Sequence, residues 1–381
     1  MVDKARLISL AQELIRIDSQ NPPGNEAALA HFTRAYLQKL GLAVKLFEFK
    51  KNRTNVLATL AGRNKNYSLL LTPHLDTVPA GKNWRFSPFK ATVSGGKLYG
   101  LGATDCKVNI ACALEAINSL VEENTVLDYN LIFAATADEE CGSELGLIPL
   151  LEKGILKPDA AVVLDSDDFD IVVEQKGLLH VKISLQGKRA HGAYPWLGVN
   201  AIDLAIQILS DLKKERCAYV KNKYLKPPTL NIGTIRGGDK VNVVADWCEF
   251  ELDFRYLPQM KAKEFLDRAR AVCKKYTRKF RIEIQGVQKP YSIAKTHPLV
   301  SCLAQSMKKH KALSTIKGSE GATVITFFQD KQIPAVATGF GSQGCAHTVD
   351  EYVKVDNLYK GALVLEDFLS RYNKEIKWKE S

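Results

Sequence analysis

The sequence predicts an α/β fold, a mixed sheet flanked by helices, with an inserted two-layer α+β unit. Three observations carry this. Short apolar runs alternate with helical stretches towards both ends of the chain, the middle shows strict two-residue alternation, and a charge surplus is confined to that middle.

At 381 residues the chain exceeds the usual size of one domain, and 46% hydrophobic residues supply a sizeable core. Leu7, Leu10 and Leu14, then Leu29, Phe32, Tyr36 and Leu40, recur every three to four residues, so the chain opens on two helices separated by Asn21-Pro22-Pro23-Gly24. The apolar runs 56–60, 68–72, 131–136, 160–164 and 333–337 read as buried strands, and 109–120 as a helix between them. In the middle, Val181, Ile183 and Leu185, and later Cys248, Phe250, Leu252 and Phe254, alternate with polar residues, as strands with one wet face do. Between them Val199, Ile202, Ile206 and Leu209 mark an amphipathic helix. The expected division is therefore 1–176 and 289–381 as one unit, with 177–288 inserted. The Lys-rich tail after Asn373 reads as a solvated end.

The formal charge is +11, and 177–288 alone holds 21 Lys and Arg against 11 Asp and Glu. Without a Gly-rich basic arm or an aromatic run of the RNA-binding kind, this surplus indicates a solvated face or attraction of anionic substrates, not nucleic-acid binding. The N-terminal stretch MVDKARLISLAQELIRIDSQ is charged and amphipathic, and no apolar run approaches the ~18 residues of a membrane span. Eight cysteines are scattered without a Cys-x-x-Cys pair, so reduced thiols and a cytoplasmic location are expected.

The chemistry concentrates where the apolar runs end. Pro73-His74-Leu75-Asp76 follows the run 68–72, and strand residues two apart share a face, so His74 and Asp76 can point together. Gly100-Leu-Gly-Ala-Thr-Asp105 delivers a carboxylate before a helix, where an Asp N-cap is the plain alternative. Ala137-Asp138-Glu139-Glu140 places adjacent glutamates at a strand end, costly to bury unless solvated or bound to something positive. Asp165-Ser-Asp-Asp168 and Gly339-Phe-Gly-Ser-Gln-Gly-Cys-Ala-His347 follow the last two runs. Two histidines and several carboxylates suit a pair of zinc-like ions sharing one carboxylate.

The stretches LLLTPHLDTVPAG, GKLYGLGATDCK, TADEECGSELG, GKRAHGAYPWLGVNAI, RGGDKVNVVAD and AHTVDEYV resemble the M20 metallopeptidases and deacylases, from the N-terminal helix to Tyr352. That group takes in acetylornithine deacetylase, succinyl-diaminopimelate desuccinylase, aminoacylases and di- and carboxypeptidases. The resemblance implies two divalent ions, zinc with cobalt as the alternative. His74 and Asp165 would hold one, Glu140 and His347 the other, and Asp105 would bridge them. It further implies that Asp76 orients His74 and that Glu139 is the general base. His191 would reach the site from a partner subunit of a homodimer formed through the inserted lid domain and stabilise the oxyanion, and Asn242 and Arg255 would bind substrate. The expected reaction is hydrolysis of an N-acyl amino acid, with dipeptidase or carboxypeptidase activity as the alternative and a non-catalytic binder of amino-acid conjugates as the remote one.

The sequence departs from the family pattern around the site. Leu101, Cys106, Val108 and Asn109 replace an Arg, a Met and two glycines near Asp105, Asp165 stands where many deacylases have Glu, and Gly318-Ser-Glu replaces Gly-Thr-Asp. Cys106, Cys141 and Cys345, beside the proposed ligands, are expected to be small packing residues.

Overall fold

The computed structural model describes residues 1–214, 217–321 and 323–375, so Ala322 and the tail beyond Glu375 lie outside the described residues. Two compact units emerge: Met1–Val173 with Ile293–Lys317 and Phe327–Ser381, and Glu174–Ser292 with Gly318–Thr326. The second unit is longer than the 177–288 expected from charge and periodicity, because it begins at Glu174, runs to Ser292 and takes in the short segment Gly318–Thr326.

In the first unit the sheet runs in the order Ala43–Glu48, Thr54–Leu60, Tyr129–Ala135, Asn64–Thr72, Ala160–Leu164, Ala335–Thr338 and Ile171–Gln175. The four strands from Tyr129–Ala135 to Ala335–Thr338 are mutually parallel, while their outer neighbours are antiparallel. Ala160–Leu164, at the centre, is buried at every position, which is why its sequence is a continuous apolar run and does not alternate.

Helices flank this sheet. Lys4–Arg16, Lys107–Glu122 and Val355–Glu375 pack on one another, and Ala27–Lys39 packs on the first two strands. The Asp3 side chain caps the first helix by accepting from the Arg6 N–H at 2.8 Å, and Leu7, Leu10 and Leu14 are buried as their spacing predicts. Lys107–Glu122 is buried on almost all faces, so its polar residues need partners. Glu115, fully buried, accepts from Arg6 Nε and Nη2 at 2.8 Å each. A small separate sheet of Thr92–Ser94, Lys97–Tyr99 and Tyr352–Lys354 joins segments far apart in sequence.

The second unit is an antiparallel sheet in the order Thr229–Gly237, Trp247–Tyr256, Gly177–Gln186, Phe280–Gln288, with helices Ala201–Lys214 and Ala262–Tyr276. Val181, Ile183 and Leu185 and the alternating Cys248, Phe250, Leu252 and Phe254 all enter its core. The middle helix buries a different stripe from the one read in the sequence. Ala201, Ala205, Ile208, Leu209 and Leu212 face the core, whereas Ile206 is 57% exposed and Val199 precedes the helix. Two alanines mark the buried face, and a reading weighted to large residues passes over them. The edge strands Thr229–Gly237 and Phe280–Gln288 escape the sequence reading because both are largely exposed. Among the described residues no helix is long and apolar enough to cross a membrane.

Candidate metal centre

Because the four central strands are parallel, their C-terminal ends lie along one edge of the sheet, where open α/β sheets place ligands. His74 follows Asn64–Thr72, Glu139 and Glu140 follow Tyr129–Ala135, Asp165 follows Ala160–Leu164, and His347 lies on the loop after Ala335–Thr338. Asp105 arrives differently from the strand-end pattern. It sits on the loop between Lys97–Tyr99 of the small sheet and the helix Lys107–Glu122.

Asp105 stands between the two imidazoles. Its Oδ1 lies 2.9 Å from His74 Nε2 and its Oδ2 3.1 Å from His347 Nε2. His347 Nε2 is also 3.1 Å from Glu140 Oε2, and His74 Nε2 is 3.9 Å from Asp165 Oδ1. Ligand atoms of His74, Glu139 and Asp165 all lie within 4.8 Å of one another, as do those of Asp105, Glu140 and His347. With a further group of His74, Asp105 and Cys106, three overlapping clusters form, and Asp105 touches both histidines.

Buried carboxylates crowd together here and shift one another's ionisation. Burial and the carboxylates of Asp165, Asp105 and Glu140 push Glu139 well above the usual carboxylate range, and burial with Asp105 pushes Asp165 up to about 7. Contact with Asp105 and Glu140, against some burial, raises His347 to about 9. Burial opposes protonation of His74, yet Cys106, Asp105 and Asp76 together push it well above the ordinary imidazole value. Burial opposes ionisation of Asp105 as well, but His347 and His74 hold it far below the carboxylate range. The donor set, two imidazoles and carboxylates meeting within metal-bridging reach, fits a pair of divalent ions.

A layer of buried groups fixes these side chains. Asp76 Oδ1 accepts from Glu139 N–H at 3.0 Å, and its Oδ2 accepts from Glu140 N–H at 3.1 Å and from Asn21 Nδ2 at 2.9 Å. His74 Nδ1 lies 2.9 Å from the backbone carbonyl of Asp76 but 3.5 Å from its carboxylate. Asp76 therefore orients His74 through its backbone, while its carboxylate clamps the turn that carries both glutamates.

Several supporting residues were not anticipated. Arg53, buried, donates to Glu26 and to Asp138 Oδ1 at 2.7 Å, and Asp138 holds a left-handed φ of 67° next to Glu139. Glu351 accepts from the backbone N–H groups of Gly102, Thr104 and Asp105 at 2.7–2.9 Å, fixing the Asp105 loop, and burial raises it to about 7. Asn109 donates to Leu164 O at 3.1 Å and accepts from Phe340 N–H at 3.0 Å, tying the Asp165 strand to the His347 loop. The only sequence signal for these was a polar residue in an apolar context, present at Asn109 and absent at Asn21, Glu26, Arg53 and Glu351.

Cys106 is buried, and burial pushes its thiol up to about 12. Its sulfur accepts from His74 N–H and donates to His74 O, so it ties backbone as a neutral thiol. Cys345 is also buried, whereas Cys141 is exposed and is not a packing residue.

His191, Asn242 and Arg255 belong to the second unit. There Gly192 N–H donates to Asn242 O at 2.8 Å and His191 bridges Val243, so His191 and Asn242 share one paired turn. His191 Nδ1 accepts from Ala193 N–H at 3.0 Å, which leaves the proton on an exposed Nε2. Arg255 stands apart from them, its guanidinium engaged by both oxygens of Asp253 at 2.8 and 3.1 Å.

The family model for peptidase family M20/M25/M40 matches residues 70–371. A curated relative, acetylornithine deacetylase of Pasteurella multocida (strain Pm70), is 30% identical over 337 residues, covering 84% of this chain and 85% of its own. Among solved structures, the aminopeptidase PepT of Bacillus cereus ATCC 10987 superposes with a TM-score of 0.82 at 22% identity, covering 97% of this chain and 99% of its own. An M20 family metallo-carboxypeptidase of Sulfolobus solfataricus does so with a TM-score of 0.78 at 23% identity, covering 97% and 99%.

Proposed function

The chain belongs to peptidase family M20/M25/M40, and on that premise we propose that it is a two-metal hydrolase that cleaves the amide bond of an N-acyl amino acid. The observation that carries this reading is Asp105 set between His74 and His347 with Glu139 beside them. The deacetylase resemblance, covering most of both chains, supports an acyl-amino-acid substrate.

In this reading His74 and Asp165 would hold one divalent ion, Glu140 and His347 would hold the other, and Asp105 would serve both, with zinc the favoured ion and cobalt a substitute. Bound there, the ions supply Lewis acidity towards the amide carbonyl and lower the pKa of water. Glu139 accepts the proton of the attacking water and returns it to the leaving nitrogen as the C–N bond breaks. Asp76 keeps Glu139 and Glu140 in register. His191, with a proton on Nε2, donates to the oxyanion from a partner copy of this chain, and Asn242 and Arg255 grip the substrate. For Arg255 this means exchanging Asp253 for a substrate carboxylate. A homodimer through the second unit and a cytoplasmic location complete the proposal.

Dipeptide or C-terminal peptide cleavage is the second reading, favoured by Asp165 in place of the glutamate of many deacylases. A panel of N-acetyl and N-succinyl amino acids against dipeptides, with added zinc or cobalt, separates the two. Turnover confined to the acyl amino acids supports the first reading, and turnover confined to dipeptides replaces it with the second.

A further inference from the structure

A second concentration of charge lies within the first unit, where the loops after the Asp165 strand and before His347 meet lysines from neighbouring elements. A cavity of about 520 Å³ is lined by four lysines, Lys311, Lys317, Lys354 and Lys360, and by only two carboxylates, Asp168 and Asp170. Two of the lysines are neutralised, Lys317 by Asp170 and Lys360 by Asp356 at 2.9 Å. Lys311 and Lys354, both exposed, have no carboxylate partner among the described residues. Asp168 lines the same wall as a carboxylate without an ion-pair partner among the described residues, its Oδ1 accepting from Asn357 Nδ2 and its Oδ2 from Gln343 N–H, each at 3.2 Å, so the lining lysines outnumber the lining carboxylates four to two. Four ammonium groups against two carboxylates around one concavity leave a positive surplus that attracts anions. Thr315 and Gln343 add polar side chains to the same wall, and buried Phe169 an apolar surface.

We propose that this cleft binds a small organic polyanion, a molecule with two or more phosphate or carboxylate groups held by Lys311 and Lys354. The volume exceeds what a lone phosphate fills, and lysine ammoniums bind such groups as point charges. The location gives binding a consequence. Asp168 ties the loop after Asp165 to Gln343 on the loop that carries His347, and Phe169 and Asp168 hold left-handed φ values of 61° and 45°. An occupant rests against that tie and bears on the placement of both loops. The proposal does not depend on the hydrolase reading.

The test is calorimetric titration of the full, metal-loaded chain at fixed ionic strength with two probes, fructose 1,6-bisphosphate and tricarballylate. The variants are Lys311→Gln/Lys354→Gln and, as a charge-matched control, Lys39→Gln/Lys65→Gln at exposed positions elsewhere in the first unit. One saturable site is expected for at least one probe, weakened at least about tenfold in the first double variant and unchanged in the second. The probe that binds tells phosphate from carboxylate. Absence of saturable binding, equal weakening in both variants, or binding that survives in Lys311→Gln/Lys354→Gln overturns the proposal, the last because it assigns the anion to the metal centre.

Discussion

The Asp76 carboxylate accepts the backbone N–H of Glu139 at 3.0 Å, so the residue two places after the first histidine sets the position of the proposed base. A buried carboxylate that serves three donors cannot be truncated without leaving N–H groups unpaired. Asp76→Ala is expected to lower kcat/KM or metal affinity by roughly tenfold to a hundredfold. Steady-state kinetics with metal analysis on the same sample checks this, and full activity in the variant would remove Asp76 from the account.

Glu139→Gln keeps the shape of the side chain and removes its basicity. Turnover is expected to fall by about 10²- to 10⁴-fold with bound metal retained. An unimpaired variant would contradict the assignment of Glu139 as the base.

Arg53 pairs with both Glu26 and Asp138 in a buried network beneath the Glu139 turn. Arg53→Met leaves two buried carboxylates facing each other and should cost about 3–5 kcal/mol in urea denaturation. A loss within experimental error would show that the network relaxes on its own.

Asn109 stands where the family pattern has glycine, and here it joins Leu164 O to Phe340 N–H. Asn109→Ala should destabilise the chain by ~1–3 kcal/mol for each buried group left unpaired and weaken metal retention, since both bonds lie next to ligand loops. Competition with a coloured chelator reads the second effect.

Acid stability has one separable contributor far from the metals. Burial alone would raise Asp367, but Lys309, Ser306 and Arg371 outweigh it and hold its pKa below the ordinary value. A carboxyl lowered in the folded state stabilises above its unfolded pKa, and that stability is lost as pH falls through the folded value. Asp367→Asn should therefore flatten the acid limb of the stability curve below about pH 4 and leave its slope at neutral pH unchanged.

How much of this was legible in the sequence depends on how far each signal travels along the chain. Runs such as 160–164 and the alternation through Cys248, Phe250, Leu252 and Phe254 are local, and the structure places both where periodicity predicts them. His74, Asp105, Glu139, Glu140, Asp165 and His347 each follow an apolar run or a Gly-rich turn, so they stand out singly, and the structure brings them together. Glu351 and Glu26 do not stand out, since each acts on a loop distant in sequence and nothing near it looks unusual. The middle helix misled the reading because Ala201 and Ala205, not Ile206, face its core.

Metal reconstitution distinguishes a two-ion site sharing Asp105 from any other arrangement. Zinc is titrated into the metal-free chain while hydrolysis of the best substrate from the panel and bound ions per chain are followed together. The account predicts activity that completes at two equivalents in the wild type, one retained ion in His347→Ala, and no tight site in Asp105→Ala. Full activity in the metal-free chain, or two tightly held ions in Asp105→Ala, would contradict it.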